Sequence, residues 1–490
     1  MKRYQMYIDG QWVDAVDGEC FESINPYTGN AWALIPRGGA GDVDRAAKAA
    51  ASAFDGWSRT SASSRGELLM KLASRLVDYA DHLAEVEVMD NGKLIAEMKG
   101  QLRYLPKWYT YFGGLADKME GSVMPLDKPD LFSYTKYEPI GVVAAITPWN
   151  SPLMLLAYKI APALAAGNCV VIKPSEYTSA STLEFMKVIE EVGFPPGVVN
   201  VVTGFGNEVG SALTTHPLVG KVSFTGSDLN GQRVYESAAS GLKRVSLELG
   251  GKSPNIVFAD ASIEDAVKGT VSGIFAASGQ SCLAGSRLLV ERSVHDEFVA
   301  AMIDFMRTVR LGDPQDPQTQ IGPIATPPQH QKILDYIEIA KAEGAHCVMG
   351  GKVPSEPGLA GGLFVEPTIF TGVTNQMRIA REEVFGPVLS IIPFDTEEEA
   401  ISIGNDTPYG LAAGVWTQNA ARAIRMVDRL RAGTVWVNTY RANSFMSPFG
   451  GMKRSGLGRE NGIAAMRDYL EVKTVFLSTA DRTANPFVMR

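Results

Sequence analysis

Three side chains could between them carry a covalent reaction. Cys282 stands in Gly279-Gln280-Ser281-Cys282-Leu283-Ala284-Gly285, where small and polar neighbours leave a thiol room to be reached. A thiolate is a strong nucleophile, but cysteine is also a good small hydrophobe. Its surroundings therefore decide between an accessible nucleophile and an inert core thiol. Glu248 stands in Leu247-Glu248-Leu249-Gly250-Gly251-Lys252, at the end of an apolar run. A carboxylate between leucines is costly to bury alone. It either pairs with Lys252 or keeps a raised pKa and serves as a general base. Asn150 closes Thr147-Pro148-Trp149-Asn150. Its amide either caps the helix that follows or donates to a developing oxyanion. Glycine-bearing turns follow two predicted strands, at Gly204-Phe205-Gly206 and Phe224-Thr225-Gly226-Ser227. The first lacks the full dinucleotide-binding spacing, because the next glycine is Gly210. Glycines after strands also serve simply as turns.

These residues need a scaffold, and the middle of the chain supplies one by alternating short apolar runs with helical patterns. Runs at 141–146 and 169–173 enclose a helical segment at 152–166. A second helix at 179–192 leads to runs at 198–203, 221–224, 245–249 and 255–258. The pattern predicts βαβ units on a parallel sheet covered on both faces, with ligands bound beyond the carboxyl ends of its strands. A second α/β region begins near Gly250, with helical stretches at 260–277, 294–309 and 328–343. Ahead of both, the first 40 residues read as short strands and turns, and 43–54 as a helix. Residues 64–90 read as one amphipathic helix. Leu68, Leu69, Leu72, Leu76, Tyr79 and Leu83 recur there at helical intervals, and Ser64 and Glu67 have capping-box spacing. The run at 470–477 reads as an edge strand in need of a partner, on this subunit or another.

Composition excludes several classes of function. A formal charge of −8 argues against nucleic acid or an anionic membrane as the main partner. Cys20, Cys169, Cys282 and Cys347 form no CxxC pair, and with only five histidines no metal site is expected. Four thiols in 490 residues suit a reducing compartment, so a cytoplasmic location is expected. The most apolar stretch, 141–172, is broken by Pro148, Asn150, Lys159, Pro162 and Asn168, and reads as core rather than a membrane span. The first residues lack the apolar segment of a signal peptide.

Taken together, the motifs resemble the aldehyde dehydrogenase superfamily over nearly the whole chain. The segments that carry the resemblance are Thr147–Asn150, Val171-Ile172-Lys173-Pro174-Ser175-Glu176, Phe224–Ser227, Leu247–Lys252, Gly279–Cys282, Glu382-Glu383-Val384-Phe385-Gly386-Pro387 and Ser447-Pro448-Phe449-Gly450-Gly451. Their order and spacing match the family, including the 34 residues from Glu248 to Cys282. The resemblance implies an α/β fold with a Rossmann-type cofactor domain (1–117 and 140–249), an α/β catalytic domain (250–466) and a small β oligomerisation element (118–139 and 467–490). It implies Cys282 as nucleophile, forming first a thiohemiacetal and then a thioester, and Glu248 as activator of the hydrolytic water. Asn150 and the Cys282 N–H would form the oxyanion hole. Lys159 matches a lysine linked to proton relay, although a helix lysine can equally snorkel to solvent.

For the cofactor, the resemblance implies Lys173 and Glu176 at the adenosine ribose and Ser227 at the pyrophosphate. Glu383 would meet the nicotinamide ribose and Phe385 the ring. Ile146, Trp149, Ser175, Gly206, Phe224, Gly226 and Leu249 would complete the site. A carboxylate at Glu176 would repel a 2′-phosphate, so NAD is expected, with NADP possible. Read without the other motifs, Lys173 and Glu176 are a solvated charge pair after a strand. The substrate pocket would include Ser151, Met154, Tyr158, Ser281, Leu283, Tyr440, Arg441, Asn443 and Phe449. Small polar residues at Ser151 and Asn443 predict a wide or wet pocket, while Tyr158 and Tyr440 leave an aromatic or medium-length aliphatic aldehyde open. Arg441 either pairs with an anionic substrate or points to solvent. The expected partners are a small aldehyde and further copies of this chain, as homodimer or homotetramer. A coenzyme A-acylating reaction is the alternative, which a water-activating Glu248 opposes. A catalytically silent scaffold is the remaining one, which the presence of Cys282, Glu248 and Asn150 opposes.

Overall fold

The strands Val142–Ile146, Cys169–Lys173 and Val199–Val201 are buried at every residue, as apolar runs in the middle of a covered parallel sheet must be. The structure, a computed structural model, describes residues 1–483 and 485–487. Those three strands join Val219–Thr225 and Arg244–Glu248 in an eight-stranded sheet. Numbered along the chain, its parallel strands lie in the order 3-2-1-4-5. The order therefore reverses between Val142–Ile146 and Val219–Thr225, and a crevice opens at the carboxyl ends of strands flanking such a point. Antiparallel strands Met6–Ile8 and Gln11–Val13 extend one edge, and Gly456–Leu457 the other. A separate three-stranded sheet is formed by Lys2–Arg3, Ala31–Pro36 and Cys20–Ile24.

A seven-stranded sheet forms the second α/β layer. It is parallel except for His346–Met349 and runs through Thr368–Thr371, Val388–Phe394, Arg287–Glu291, Pro254–Val257, Ala412–Trp416 and Thr434–Val437. The amino ends of its strands face the carboxyl ends of the first sheet. The segments that enter its strands, Gly250–Ser253, Cys282–Ser286 and Glu383–Pro387, therefore arrive at the first sheet's crevice.

The helix Pro152–Ala166 is buried at every position. It lies on the first sheet and is covered in turn by the helices Ala62–Asn91 and Pro106–Leu115. The long helix starts earlier than its sequence suggests. Ser61, not Ser64, is its cap, its hydroxyl accepting from the Ser64 N–H at 3.1 Å. Ser64 thus serves as a donor in the first turn, and no Ser64–Glu67 box forms. The helix ends at Gly92, whose φ of 71° is the left-handed conformation in which glycine carries no Cβ penalty.

The strand Leu470–Ser478 finds its partner within the chain, in antiparallel register with Leu131–Pro139 from Leu470↔Pro139 to Ser478↔Leu131. Val123–Met124 adds a third strand, so Leu470–Ser478 remains an outer edge. Residues 484 and 488–490 of the expected oligomerisation element lie outside the described residues. No helix among the described residues is long and apolar enough to cross a membrane, and none of their His, Cys, Asp and Glu form a group of three or more that could hold a metal ion.

Candidate active site

Cys282 sits on a loop held in an unfavourable backbone. Ala277 and Ser278 adopt φ of 54° and 53°, left-handed values that cost non-glycine residues free energy, and Gly279 follows at 70°. Hydrogen bonds fix this path. Ser278 Oγ donates to the Gly322 carbonyl at 2.8 Å, and Gln280 Oε1 accepts from the Ala325 N–H at 2.8 Å. Only glycine fits at 279, where a Cβ would lie 2.1 Å from the Gly386 carbonyl oxygen. The loop leaves the part-buried thiol with the N–H groups of Cys282 and Leu283 directed at its sulfur. Burial, with the charges of Glu383 and Glu248, pushes the thiol up to about 12.

Asn150 is not the cap of the following helix; that position belongs to Ser151. Instead Asn150 Nδ2 donates to the Gln280 carbonyl at 3.0 Å, which ties its amide to the Cys282 loop. Such an amide keeps a second N–H to give. Glu248 ends the Arg244–Glu248 strand at 3% exposure, and neither carboxylate oxygen has a hydrogen-bond partner among the described residues. Of the two readings, the ion pair with Lys252 does not form: the Lys252 ammonium is buried without a hydrogen bond among the described residues. Burial first, then the neighbouring Glu460, raise Glu248 well above the usual carboxylate range. A buried carboxyl with spare capacity and a raised pKa is suited to take a proton near neutral pH.

Glu248 and Cys282 line one cavity of about 120 Å³ together with Trp149, Asn150, Thr225, Ser227, Leu249, Glu383 and Phe385. Gln329 and Lys332, which sequence reasoning missed, line it too. Glu383 accepts from the Gly251 N–H at 2.9 Å, and burial holds it up at about 7. Its other oxygen lies where a Cβ on Gly250 would come within 2.4 Å, so this approach requires a glycine. Phe385 meets Trp149 edge to face at 5.3 Å.

The cavity continues into a crevice of about 600 Å³ at the reversal point of the first sheet. Ile146, Ser175, Glu176, Gly206, Phe224, Gly226 and Ser227 line it, as does Lys173. Lys173 is not part of a solvated pair. Its ammonium is buried and donates to the Pro174 carbonyl at 2.9 Å and to Glu176 at 3.4 Å. Ser227 caps the helix Asp228–Ala239, accepting from the Asn230 N–H at 3.3 Å, so the positive end of that helix faces the crevice. A ribose acceptor at Glu176, a helix N-terminus and a glycine-lined floor suit a dinucleotide.

Lys159 is 0% exposed, which rules out the snorkelling arrangement. Its ammonium donates to Thr225 Oγ1 at 2.7 Å, Ser223 Oγ at 3.4 Å and Glu460 Oε1 at 2.5 Å. Glu460, unnoticed in the sequence, thus stands among Lys159 and Glu248 in one buried charged group.

The expected substrate residues fall into two sets. Met154, Tyr158 and Phe449 belong to the buried apolar cluster against which Cys282 and Leu283 pack. Tyr158 stacks on Trp108 at 5.1 Å and accepts a hydrogen bond from Asn443 Nδ2. Ser281 Oγ accepts from the Leu283 N–H at 3.3 Å. Tyr440, expected in the lining, is instead buried in the core of the second sheet, flanked by Gly273, Gly285 and Gly414. Its hydroxyl donates to the Leu283 carbonyl at 3.1 Å, supporting the nucleophile loop from behind. The surroundings of Tyr158 are less polar than Ser151 and Asn443 suggest, because Phe445 packs on Trp108 at 5.7 Å and adds a third aromatic ring. Ser151 spends its hydroxyl on the Lys93 ammonium at 2.7 Å.

Comparison with known proteins identifies the family. The model of the aldehyde dehydrogenase family matches residues 12–475. The chain belongs to the aldehyde dehydrogenase family. Among its relatives is the (Z)-2-((N-methylformamido)methylene)-5-hydroxybutyrolactone dehydrogenase of Acinetobacter baylyi, 48% identical over 495 residues and covering 100% of both chains. The betaine aldehyde dehydrogenase of Mesorhizobium japonicum is 43% identical over 482 residues, with 98% of each chain covered. The crystal structure of betaine aldehyde dehydrogenase from Staphylococcus aureus in complex with NAD+ superposes with a TM-score of 0.97 at 40% identity, covering 99% of this chain and 97% of that one.

Proposed function

We propose that this aldehyde dehydrogenase oxidises an aldehyde to a free carboxylic acid with NAD, through a covalent adduct on Cys282 that Glu248 resolves with water. The observation that carries the reading is the buried, partnerless Glu248 carboxyl on the same cavity as the Cys282 thiol. In this reading Lys173 and Glu176 hold the adenosine ribose, the Ser227 end of its helix meets the pyrophosphate, and Glu383 holds the nicotinamide ribose beside Phe385. When bound there, NAD supplies the acceptor for a hydride. The NAD complex of the Staphylococcus aureus relative supports that choice, and the Glu176 carboxylate disfavours a 2′-phosphate.

The chain's own residues do the rest. The Cys282 thiol gives its proton to solvent, its Sγ bonds to the aldehyde carbon, and the carbonyl oxygen becomes an oxyanion that the free N–H of Asn150 and the Cys282 N–H stabilise. Loss of hydride from that carbon re-forms the carbonyl as a thioester. Glu248 then takes a proton from water, whose oxygen attacks the thioester carbon. The C–S bond breaks, the acid leaves, and the cysteine departs as the thiolate, while the proton taken from water stays on the Glu248 carboxyl. Glu460 and Lys159, behind Glu248, offer a route for that proton to leave the buried site. The exposed Val472, Phe476 and Leu477 on the outer strand support homodimers or homotetramers, and four free thiols support a cytoplasmic location.

The test incubates purified protein with NAD and a panel of aldehydes, following reduced cofactor by absorbance and acid by chromatography. Acid formed without coenzyme A is the expected result. Turnover that requires coenzyme A would reassign Glu248, and failure of every aldehyde would remove the reading.

A further inference from the structure

Outside the lining of the cofactor cavity, Lys93 beside Ser151 and Arg441 beside Tyr440 form no salt bridge among the described residues. Lys93 is 7% exposed, and its ammonium donates only to Ser151 Oγ, at 2.7 Å. Its backbone N–H is fixed to Asn91 Oδ1 at 2.9 Å, just past the glycine that ends the long helix. An ammonium has three N–H groups to give. One that is buried with a single hydroxyl partner is costly until an anion completes its shell. Arg441 follows Tyr440, which braces the Cys282 loop, and is held at a left-handed φ of 64°. Its guanidinium donates to one acceptor among the described residues, the Ser272 carbonyl, at 3.3 Å.

The charges of Arg441 and Cys282 both act on Lys93. Burial lowers the Lys93 ammonium, Glu97 and Glu87 oppose that, Arg441 lowers it further, and the Cys282 thiolate raises it. Glu97 and Glu87 act at a distance and form no ion pair with Lys93. Two cations with no direct carboxylate contact beside the Cys282 loop disfavour a cationic substrate, although the aromatic wall of Trp108, Tyr158 and Phe445 would by itself welcome one.

We infer that Lys93 and Arg441 form a carboxylate-binding subsite beside the Cys282 loop, so that the preferred aldehydes carry a carboxylate at the end remote from the reacting carbon. The inference rests on the aldehyde-oxidising reading above and names its substrate class. The carboxylate accepts from the Lys93 ammonium and the Arg441 fork, while the aromatic wall covers the carbons between.

The test compares three substrates of the full-length chain with NAD: glutaric semialdehyde, its neutral methyl ester and betaine aldehyde. The acid is expected to exceed the ester in kcat/KM by at least about tenfold, and betaine aldehyde by more. Arg441→Gln is expected to cut the acid-to-ester ratio about tenfold, mainly through KM, and Arg441→Lys to restore part of it. Lys93→Met is expected to move the ratio in the same direction. An unchanged ratio in Arg441→Gln, or a wild-type preference for betaine aldehyde, overturns the subsite. If no aldehyde is oxidised, the aldehyde-oxidising reading fails on its own account, and the subsite is still measurable through Cys282. Methanethiosulfonates bearing a sulfonate or a trimethylammonium group would then be timed against Cys282 by peptide mass. Faster reaction with the sulfonate, lost in Arg441→Gln, upholds the subsite. Equal or reversed rates overturn it.

Discussion

The two parallel sheets present the same topological feature and put it to different uses. In the first, the strand order reverses between Val142–Ile146 and Val219–Thr225, and the segments beyond those strands leave a crevice lined by Gly206, Gly226 and Ser227. In the second, the order reverses between Pro254–Val257 and Ala412–Trp416, and the segments beyond are tied together. Asp260 accepts from Thr417 Oγ1 at 2.9 Å and the Asn419 N–H at 3.1 Å, and pairs with Arg422 at 2.8 Å. Small residues and a helix N-terminus make a reversal point into a binding crevice; a satisfied carboxylate knot makes it a structural joint. The second sheet contributes to chemistry from its other end, by delivering Cys282 and Glu383 to the first sheet's crevice.

This contrast can be attacked from both sides. Cys282→Ser should lower kcat/KM by at least about a thousandfold, as loss of a nucleophile does, while leaving the thermal midpoint near wild type. Asn150→Ala should cost roughly a hundred- to a thousandfold in kcat, the scale of one lost oxyanion donor. A smaller kinetic loss would mean that the Cys282 N–H holds the oxyanion alone. Asp260→Ala addresses the other reversal point. It should lower stability in denaturant by about 1–3 kcal/mol and leave steady-state kinetics alone. A kinetic defect there would show that the joint also serves the site.

The smallest effect is one of pH. Burial holds Glu87 up at about 7, above its unfolded value, while one of its oxygens accepts from the Leu153 N–H at 2.9 Å. A carboxyl raised on folding contributes stability that is complete below its unfolded pKa and is lost as pH rises through 7. Glu87→Gln keeps the acceptor and cannot ionise. It should match wild type near pH 4 and exceed it at pH 8.5, by up to about 3 kcal/mol. A uniform offset at both pH values would remove the titration argument.

Much of this contrast was legible in the sequence because it is local. The helix Pro152–Ala166 begins at its proline and stops at Gly167, and the runs at 142–146 and 169–172 are buried strands because every residue in them is apolar. The placing of Asn150, Glu248 and Cys282 around one cavity followed from motif order. What escaped was long-range. Trp108 and Phe445 join Tyr158 in one aromatic group from segments without a motif, held by packing and by the Trp108 indole on Asn461 Oδ1 at 2.7 Å. Glu460 and Lys93 carry no motif, and only tertiary contacts bury them. Tyr440 and Arg441 are neighbours in sequence, yet one braces the core and the other does not, a division set by the left-handed turn at Arg441.

The division of labour between Cys282 and Glu248 is the central claim, and Glu248→Gln mixed rapidly with NAD and an aldehyde tests it most directly. The account predicts a burst of reduced cofactor of about one equivalent per Cys282, turnover slowed by roughly a hundred- to ten-thousandfold, and an acyl group on Cys282 in the intact mass. Loss of the burst together with turnover, or turnover at the wild-type rate, would contradict it.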